Sequence, residues 1–149
     1  MRIIVLIVVC LFRASADDMG VARNLAENKF APMAGLPACL TLAPESGDPS
    51  KGPSVIVFKA KAGCMIPWHW HTPTEHVMIV SGTAKIEMKG GSTTKLGPGG
   101  YALMPSKHQH QFTCVSACSA FVNSDGAFDI HYVDSSGKEI TPDAALGKK

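Results

Sequence analysis

The fold is decided by one stretch of sequence, Gly63-Cys64-Met65-Ile66-Pro67-Trp68-His69-Trp70-His71-Thr72-Pro73-Thr74-Glu75, followed by a β-rich run from 76 to 81 and Gly82. His69 and His71 are two residues apart, so their imidazoles point to the same face of a β-strand. The Thr-Pro-Thr break before Glu75 allows a hairpin to bring its carboxylate beside them. Imidazoles and a carboxylate converging on one point are donors for a divalent transition metal.

The remainder of the chain predicts about ten short strands separated by glycine and proline clusters, with almost no helix. Thr83 to Met88 alternates polar and apolar residues with a period of two, and Gly97-Pro98-Gly99-Gly100 interrupts the pattern after the next strand. The tail from Thr141 to Leu146 predicts a short helix with Pro142 in its first turn. These features indicate an antiparallel all-β sandwich or barrel, and a length of 149 residues favours a single domain.

The N-terminus has the pattern of a secretory signal peptide covering residues 1–16. Arg2 precedes an apolar run from Ile3 to Phe12, and Ala14-Ser15-Ala16 fits a cleavage site. Cleavage would leave one domain, 17–149, in the periplasm or outside the cell, with no stable membrane anchor. An uncleaved N-terminal anchor has the same composition and is the alternative.

Charge and cysteine content restrict the partners and the compartment. Removing Arg2 and Arg13 with the leader leaves 12 basic and 12 acidic residues, so no basic surface favours nucleic acid. Loss of Cys10 leaves four cysteines, an even number that suits disulfides in an exported domain. A pairing of Cys114 with Cys118 would close a hairpin and leave Cys39 for Cys64, but the sequence does not choose among the three possible pairings.

The opening stretch also matches a known family motif. Gly63, His69, His71, Glu75 and Gly82 occupy every fixed position of the first cupin motif. The segment from Gly99 to Cys114 resembles the second cupin motif, with Gly99, Pro105 and His110 in place, but with Lys107 where the motif has glycine and Cys114 where it has asparagine. Together the two motifs span residues 63–114, and the resemblance implies a cupin jelly-roll β-barrel.

The resemblance further implies a metal ion in the mouth of the barrel, held by His69, His71, Glu75 and His110. Iron, manganese, zinc and nickel are the candidate ions, since imidazole and carboxylate donors suit all four. Lysine at position 107 is unfavourable where the backbone needs a positive φ. Loss of the motif's asparagine removes a group that would orient a ligand, so other groups must do so.

Several other side chains have two interpretations. His108 is predicted either to line the pocket as a catalytic proton shuttle or to be an exposed loop histidine. The side chains of Trp68 and Trp70 alternate with the ligands and are expected to form packing or dimer-interface contacts. His76 is expected outside the barrel, and His131 to be structural or exposed.

The first functional hypothesis is a metal-dependent oxidoreductase of the dioxygenase type acting on a small organic molecule, with Glu75 also able to act as a base. An isomerase or lyase that uses the metal only as a Lewis acid needs the same residues. The rival is an exported cupin that binds a metal or small ligand without turnover. A homodimer is compatible with each hypothesis, and the fold alone does not choose among them.

Overall fold

The computed structural model describes residues 20–147. The predicted signal peptide, 1–16, lies outside this range. Eleven strands account for most of the regular structure of the described residues: β1 Leu40–Gly47, β2 Ser54–Ala60, β3 Met65–Trp70, β4 Glu75–Ser81, β5 Ala84–Met88, β6 Thr93–Leu96, β7 Tyr101–Met104, β8 His110–Cys114, β9 Cys118–Ser124, β10 His131–Val133 and β11 Glu139–Ile140.

The strands form two antiparallel sheets that face each other. One sheet has the order β1-β2-β9-β4-β7, and the other has the order β11-β10-β3-β8-β5-β6. Strands distant in the sequence are neighbours in space, as a jelly roll requires. The predicted all-β antiparallel barrel is therefore confirmed.

The core lies between the two sheets because apolar and polar residues alternate along the strands. In β5, Ala84 and Ile86 are buried, whereas Lys85 and Glu87 point away from the core. Phe58 of β2 meets Phe112 of β8 edge to face, with ring centroids 5.5 Å apart, a favourable geometry for an aromatic pair. This pair joins the two sheets across the core.

Helical structure is confined to two short segments of the described chain. The predicted C-terminal helix is present as α1, Pro142–Ala145, and the Thr141 hydroxyl accepts a hydrogen bond from the Ala144 N–H at 3.2 Å. The other segment is a 3-10 turn at Leu25–Glu27. None of the helices in residues 20–147 is long and apolar enough to cross a membrane.

Two disulfides join the cysteines of the described residues as Cys39–Cys64 and Cys114–Cys118. The first connects the residue before β1 to the loop before β3. The second closes the turn between β8 and β9. The structure thus selects one of the three pairings that the sequence left open.

Gly82, which ends the first motif, is required by a close backbone approach. Its φ is +75°, and a Cβ there would lie 2.1 Å from the Ala117 carbonyl oxygen. Gly63 has the same φ of +75°, but a Cβ there would meet nothing within 4 Å. Both glycines have the same unfavourable φ, but only at Gly82 would a side chain also collide with the backbone. Comparing substitutions at the two positions therefore distinguishes the free-energy cost of the dihedral from that of the collision.

We expect Gly82→Ala to lower the free energy of unfolding by at least about 3 kcal/mol, since it combines an unfavourable φ with a backbone collision. The matched Gly63→Ala variant carries only the dihedral cost, about 1 kcal/mol. Chemical denaturation of both variants measures the difference. Equal losses would contradict the role assigned to the Ala117 carbonyl.

Candidate metal centre

Three histidines form a compact buried group in the interior of the barrel. One ring nitrogen from each of His69, His71 and His110 lies within 4.8 Å of the others, and their side chains are 2%, 5% and 3% exposed. His69 lies near the end of β3, His71 directly follows that strand, and His110 begins β8. The structure thus brings together three of the four predicted ligands in one group.

An irregularity in β3 aligns two of these histidines. The register pairs Ile66 with Phe112 and His69 with His110, so β3 contains one more residue than β8 over this interval. Pro67 lies in the interval and has no N–H to donate to the ladder. A bulge of this kind re-aims the side chains that follow it, and here it places His69 opposite His110.

Main-chain carbonyl oxygens orient all three imidazoles. The Nδ1 of His69 donates to the Pro67 carbonyl at 2.6 Å, and the Nδ1 of His110 donates to the His108 carbonyl at 2.9 Å. The Nδ1 of His71 donates to the Asp129 carbonyl. Because a carbonyl oxygen only accepts, these bonds assign the proton to Nδ1 and leave each Nε2 lone pair free to bind a metal.

Burial favours the uncharged form of two of these imidazoles. Desolvation lowers the pKa of His69 well below its ordinary value, and the neighbouring His110 and His71 lower it further. Desolvation also lowers the pKa of His110 to about 4. Both rings are therefore neutral at neutral pH, which is the form that binds metal.

Glu75 lies beside the histidine group but is not part of it. It begins β4 in the opposite sheet, it is 5% exposed, and its Oε2 lies 3.3 Å from Nε2 of His71. Its Oε1 is buried without a hydrogen-bond partner. Burial raises the pKa of this carboxyl group, although His71 acts in the opposite direction.

These donors fit a divalent transition metal. Three imidazoles suit zinc, iron and nickel alike, and the buried Oε1 of Glu75, which has no hydrogen-bond partner, would gain one from a cation or a substrate. The three-histidine group therefore suggests a divalent metal, whose identity the donors leave open.

A small apolar cavity lies next to these donors, with a volume of about 60 Å³. Its polar lining residues are limited to His69, His71, Glu75 and His110. The other lining residues are all apolar: Leu36, Leu40, Leu42, Ile56, Phe58, Ile66, Val77, Ile86, Met104, Phe112, Val122, Phe128 and Ile130. Since a water molecule needs about 10–15 Å³ measured in this way, the cavity accommodates only a few heavy atoms.

The structure places His108 differently from the predicted pocket position. β8 begins at His110, so His108 belongs to the preceding turn, in which its N–H donates to the Pro105 carbonyl at 3.0 Å. Its side chain does not line the cavity, and its main-chain carbonyl instead orients His110. Lys107 adopts the unfavourable positive φ, +61°, that the motif's glycine predicts.

The remaining aromatic and histidine side chains lie outside the cavity. His76 has its Nδ1 2.7 Å from the Tyr101 hydroxyl, and His131 stacks on Trp70 at a centroid distance of 3.9 Å. Cys114 is bonded to Cys118, so its sulfur is not available as a metal ligand. These positions agree with the structural and packing interpretations drawn from the sequence.

The segment between β9 and β10 contributes functional residues that the sequence did not identify. The sequence predicts a strand from Phe128 to Val133, but β10 covers only His131–Val133. Phe128 and Ile130 line the cavity, and the Asp129 carbonyl orients His71. The alternation of apolar residues at 128 and 130 signals burial, but it does not reveal that a loop supplies them.

Comparison with known proteins agrees with this fold. Residues 56–122 match the family described as Cupin domain. Dimethylsulfoniopropionate lyase DddQ of Ruegeria pomeroyi is 35% identical over 74 residues, which are 49% of this chain and 37% of the relative. The match thus spans little more than a third of that enzyme.

Solved structures of low sequence identity share the fold. The polyketide cyclase RemF of Streptomyces resistomycificus superposes with a TM-score of 0.67 at 17% identity, covering 78% of this chain and 87% of RemF. Salicylate 1,2-dioxygenase of Pseudoaminobacter salicylatoxidans gives a TM-score of 0.53 at 18% identity, covering 59% and 25%. Residues 56–122 thus resemble a cupin domain, and the solved structures share the fold.

Proposed function

We propose that this protein is a metal-dependent oxidoreductase of the dioxygenase type that acts on a small organic molecule. The observation that carries the proposal is the position of the three histidines beside a cavity whose remaining walls, Glu75 aside, are apolar. Dioxygen is a small apolar molecule and suits such a cavity. A dioxygenase transfers both oxygen atoms to its substrate, so it needs no second reductant.

The residues of the chain have separate roles in this proposal. His69, His71 and His110 would hold the metal, which supplies Lewis-acid and redox chemistry when bound. Glu75 would accept a proton from the substrate, since its raised pKa makes it a stronger base than an ordinary carboxylate. The apolar side chains exclude water from the reacting atoms.

The cavity also restricts the substrate. The polar side chains that line the cavity are those of His69, His71, Glu75 and His110. A charged or hydrogen-bonding group of the substrate that lies away from them would therefore be buried without a partner. At about 60 Å³, the cavity is also far smaller than the roughly 300–1,000 Å³ of pockets that enclose drug-sized ligands. We infer a substrate with one small oxygen-containing head group and an apolar remainder.

A lyase is the second candidate, and a specific observation favours it. The 35% identical relative is named as a dimethylsulfoniopropionate lyase, and a buried carboxylate beside a Lewis acid is suited to removing a proton next to a carbonyl group. The same residues would serve, with no oxygen consumed. Binding of a ligand without turnover is the remaining alternative.

Oxygen dependence separates these candidates. The protein, loaded in turn with Fe²⁺, Mn²⁺, Ni²⁺ or Zn²⁺, is incubated with short aliphatic and aromatic acids and with dimethylsulfoniopropionate, in air and under anaerobic conditions. Oxygen uptake that requires both substrate and a redox-active metal supports the dioxygenase. Cleavage that proceeds equally without oxygen supports the lyase, and ligand binding without product in any condition supports the binding protein.

The variant Glu75→Gln extends this experiment to the proposed base. We expect turnover to fall by at least about 100-fold, the scale of a lost general base, while the three histidines retain the metal. Glu87→Gln, on the outer face of β5, is the matched control and should leave turnover unchanged. Unchanged turnover in Glu75→Gln would contradict the role of the carboxylate.

We also propose that the protein acts after export, in the periplasm or outside the cell. The two disulfides support this location, since such bonds are rare in the reducing cytoplasm. N-terminal sequencing of protein recovered from the native host tests it. A sequence that starts at Asp17 agrees with export and cleavage. One that starts at Met1 contradicts cleavage and, if the protein is recovered from the cytoplasm, contradicts export as well.

A further inference from the structure

Four exposed apolar side chains lie next to one another on the outer face of the five-stranded sheet. Met78 and Val80 of β4 are 38% and 40% exposed, and Tyr101 and Leu103 of β7 are 52% and 41% exposed. The register places Met78 opposite Tyr101. We call these four residues the β4–β7 patch. Besides Tyr101, the titratable side chain on the outer face of these two strands is that of His76, whose Nδ1 lies 2.7 Å from the Tyr101 hydroxyl.

The strand that carries half of this patch is also an open edge. Among the described residues, β1, β7, β6 and β11 are the edge strands of the two sheets. Ala31 caps β1 through two backbone hydrogen bonds with Leu42, β6 carries Lys95, and β11 is two residues long with Glu139. Charged residues, short length and covering segments usually protect an edge strand from pairing with another chain. Among the described residues, β7 has no charged side chain, and no further strand pairs with its outer edge.

The hydrogen-bonding groups on this edge face away from the sheet. Ile79 exchanges backbone hydrogen bonds with Gly99 and Gly100 at 2.9 Å each. Bonded pairs alternate along an antiparallel ladder, so Ala102 bonds to β4, and the peptide groups of Tyr101 and Leu103 point outward. These two residues therefore present both main-chain donors and acceptors to a new strand.

We propose that a second copy of this chain pairs with β7 through its own β7, antiparallel, about a two-fold axis that passes beside Ala102. In this register, Tyr101 of each copy lies opposite Leu103 of the other. The two sheets join into one continuous sheet, and the two β4–β7 patches meet on its outer face.

Three features favour a second copy over a different partner. A two-fold interface must be self-complementary, and β7 meets this condition because its outward peptide groups are at positions symmetric about Ala102. The small Ala102 side chain allows close approach at the axis. The formal net charge of only +2 on the whole chain gives little repulsion between copies.

The proposed pairing also covers a neighbouring cleft. A cavity of about 90 Å³ lies between the edges of the two sheets and is lined by Ile86, Met88, Ser92, Thr94, Leu96, Tyr101 and Ala102. A strand placed beside β7 covers this opening. The contact thus extends from the outer face of one sheet to the edge of the other, which increases the surface that dimerisation removes from water.

Sedimentation equilibrium of the metal-loaded protein at micromolar concentration tests the proposal. We expect twice the mass of one chain for the wild type and the mass of one chain for Leu103→Lys, since two lysines would flank the axis. Val115→Lys, which changes an apolar residue of similar exposure (48%) in the turn after β8, is the control and should remain a dimer. Unchanged circular dichroism and metal content in Leu103→Lys show that the fold is intact.

Cysteine cross-linking tests the register. Ala102→Cys should form a disulfide between two copies under mild oxidation, because directly opposed residues of a non-bonded pair have Cα atoms about 4.5 Å apart. Leu103→Cys lies opposite Tyr101 and should not form one. A monomeric wild type overturns the proposal. A wild-type dimer that persists in Leu103→Lys also overturns it, and dissociation in Met65→Lys would then place the interface on the other sheet.

Discussion

Replacing His110 by alanine is expected to abolish stable metal binding while the barrel stays folded. The wild type should hold about one divalent ion per chain, and removal of one of three imidazoles should weaken binding by well over about 100-fold, since even the loss of a group that only orients a ligand costs 10–100-fold. The fold is expected to survive because the core and two disulfides do not depend on this side chain. Elemental analysis after dialysis measures the effect.

The chain provides a matched control for this experiment. His76 is also on a strand, but it lies on the outer face, where its Nδ1 contacts the Tyr101 hydroxyl. We expect His76→Ala to retain the full metal content. Equal metal content in His110→Ala and the wild type would show that the ion binds elsewhere.

The two disulfides are expected to contribute unequally to stability. Cys39 and Cys64 are 25 residues apart, whereas Cys114 and Cys118 are 4 apart. In the chain-entropy model, stabilisation grows with the size of the closed loop, which gives about 3.5 kcal/mol for the first bond and about 2 kcal/mol for the second. The double variant Cys39→Ala, Cys64→Ala should therefore lose more unfolding free energy than Cys114→Ala, Cys118→Ala.

Guanidinium denaturation of both double variants measures these losses. Cys64, Cys114 and Cys118 are 4%, 0% and 4% exposed, so the first double variant removes one fully buried sulfur atom and the second removes two. The additional unfilled space in the second variant narrows the expected difference in unfolding free energy. Reduction of the wild type with no substitution separates the two effects, because it opens both loops and keeps all four sulfur atoms. A larger loss for the short loop under matched conditions would contradict the entropic explanation.

Much of the barrel could be predicted from local sequence patterns. The period-two alternation of Thr83 to Met88 and the glycines at turns correspond to β5 and its neighbours in the structure. The start of β10 could not be predicted, because Phe128 and Ile130 show the same alternation of apolar residues as a strand. Their burial comes from covering the cavity rather than from sheet pairing, and no residue in the sequence distinguishes the two.

The three histidines of the site were predictable because motif spacing and strand parity both point to them. The groups that orient them were not, since main-chain carbonyls have no sequence signature. His108 illustrates this: its ring was a candidate for chemistry, but its carbonyl is the part that contacts His110. Glu75 was predicted as a ligand. In the structure its carboxylate contacts one of the three histidines, His71, at 3.3 Å.

The use of main-chain acceptors has a consequence for how this site withstands mutation. A substitution at His108 changes the side chain but leaves the carbonyl that accepts from Nδ1 of His110, so alanine scanning would miss its role. The other two carbonyls depend on side chains that hold the backbone: Pro67 lies in the β3 bulge, and the Asp129 carboxylate accepts from the Thr72 N–H at 2.7 Å. The path of the backbone therefore matters more than the carbonyl groups themselves, and insertions or deletions in the loop before β10 should displace His71 more than a substitution at Phe128 or Ile130.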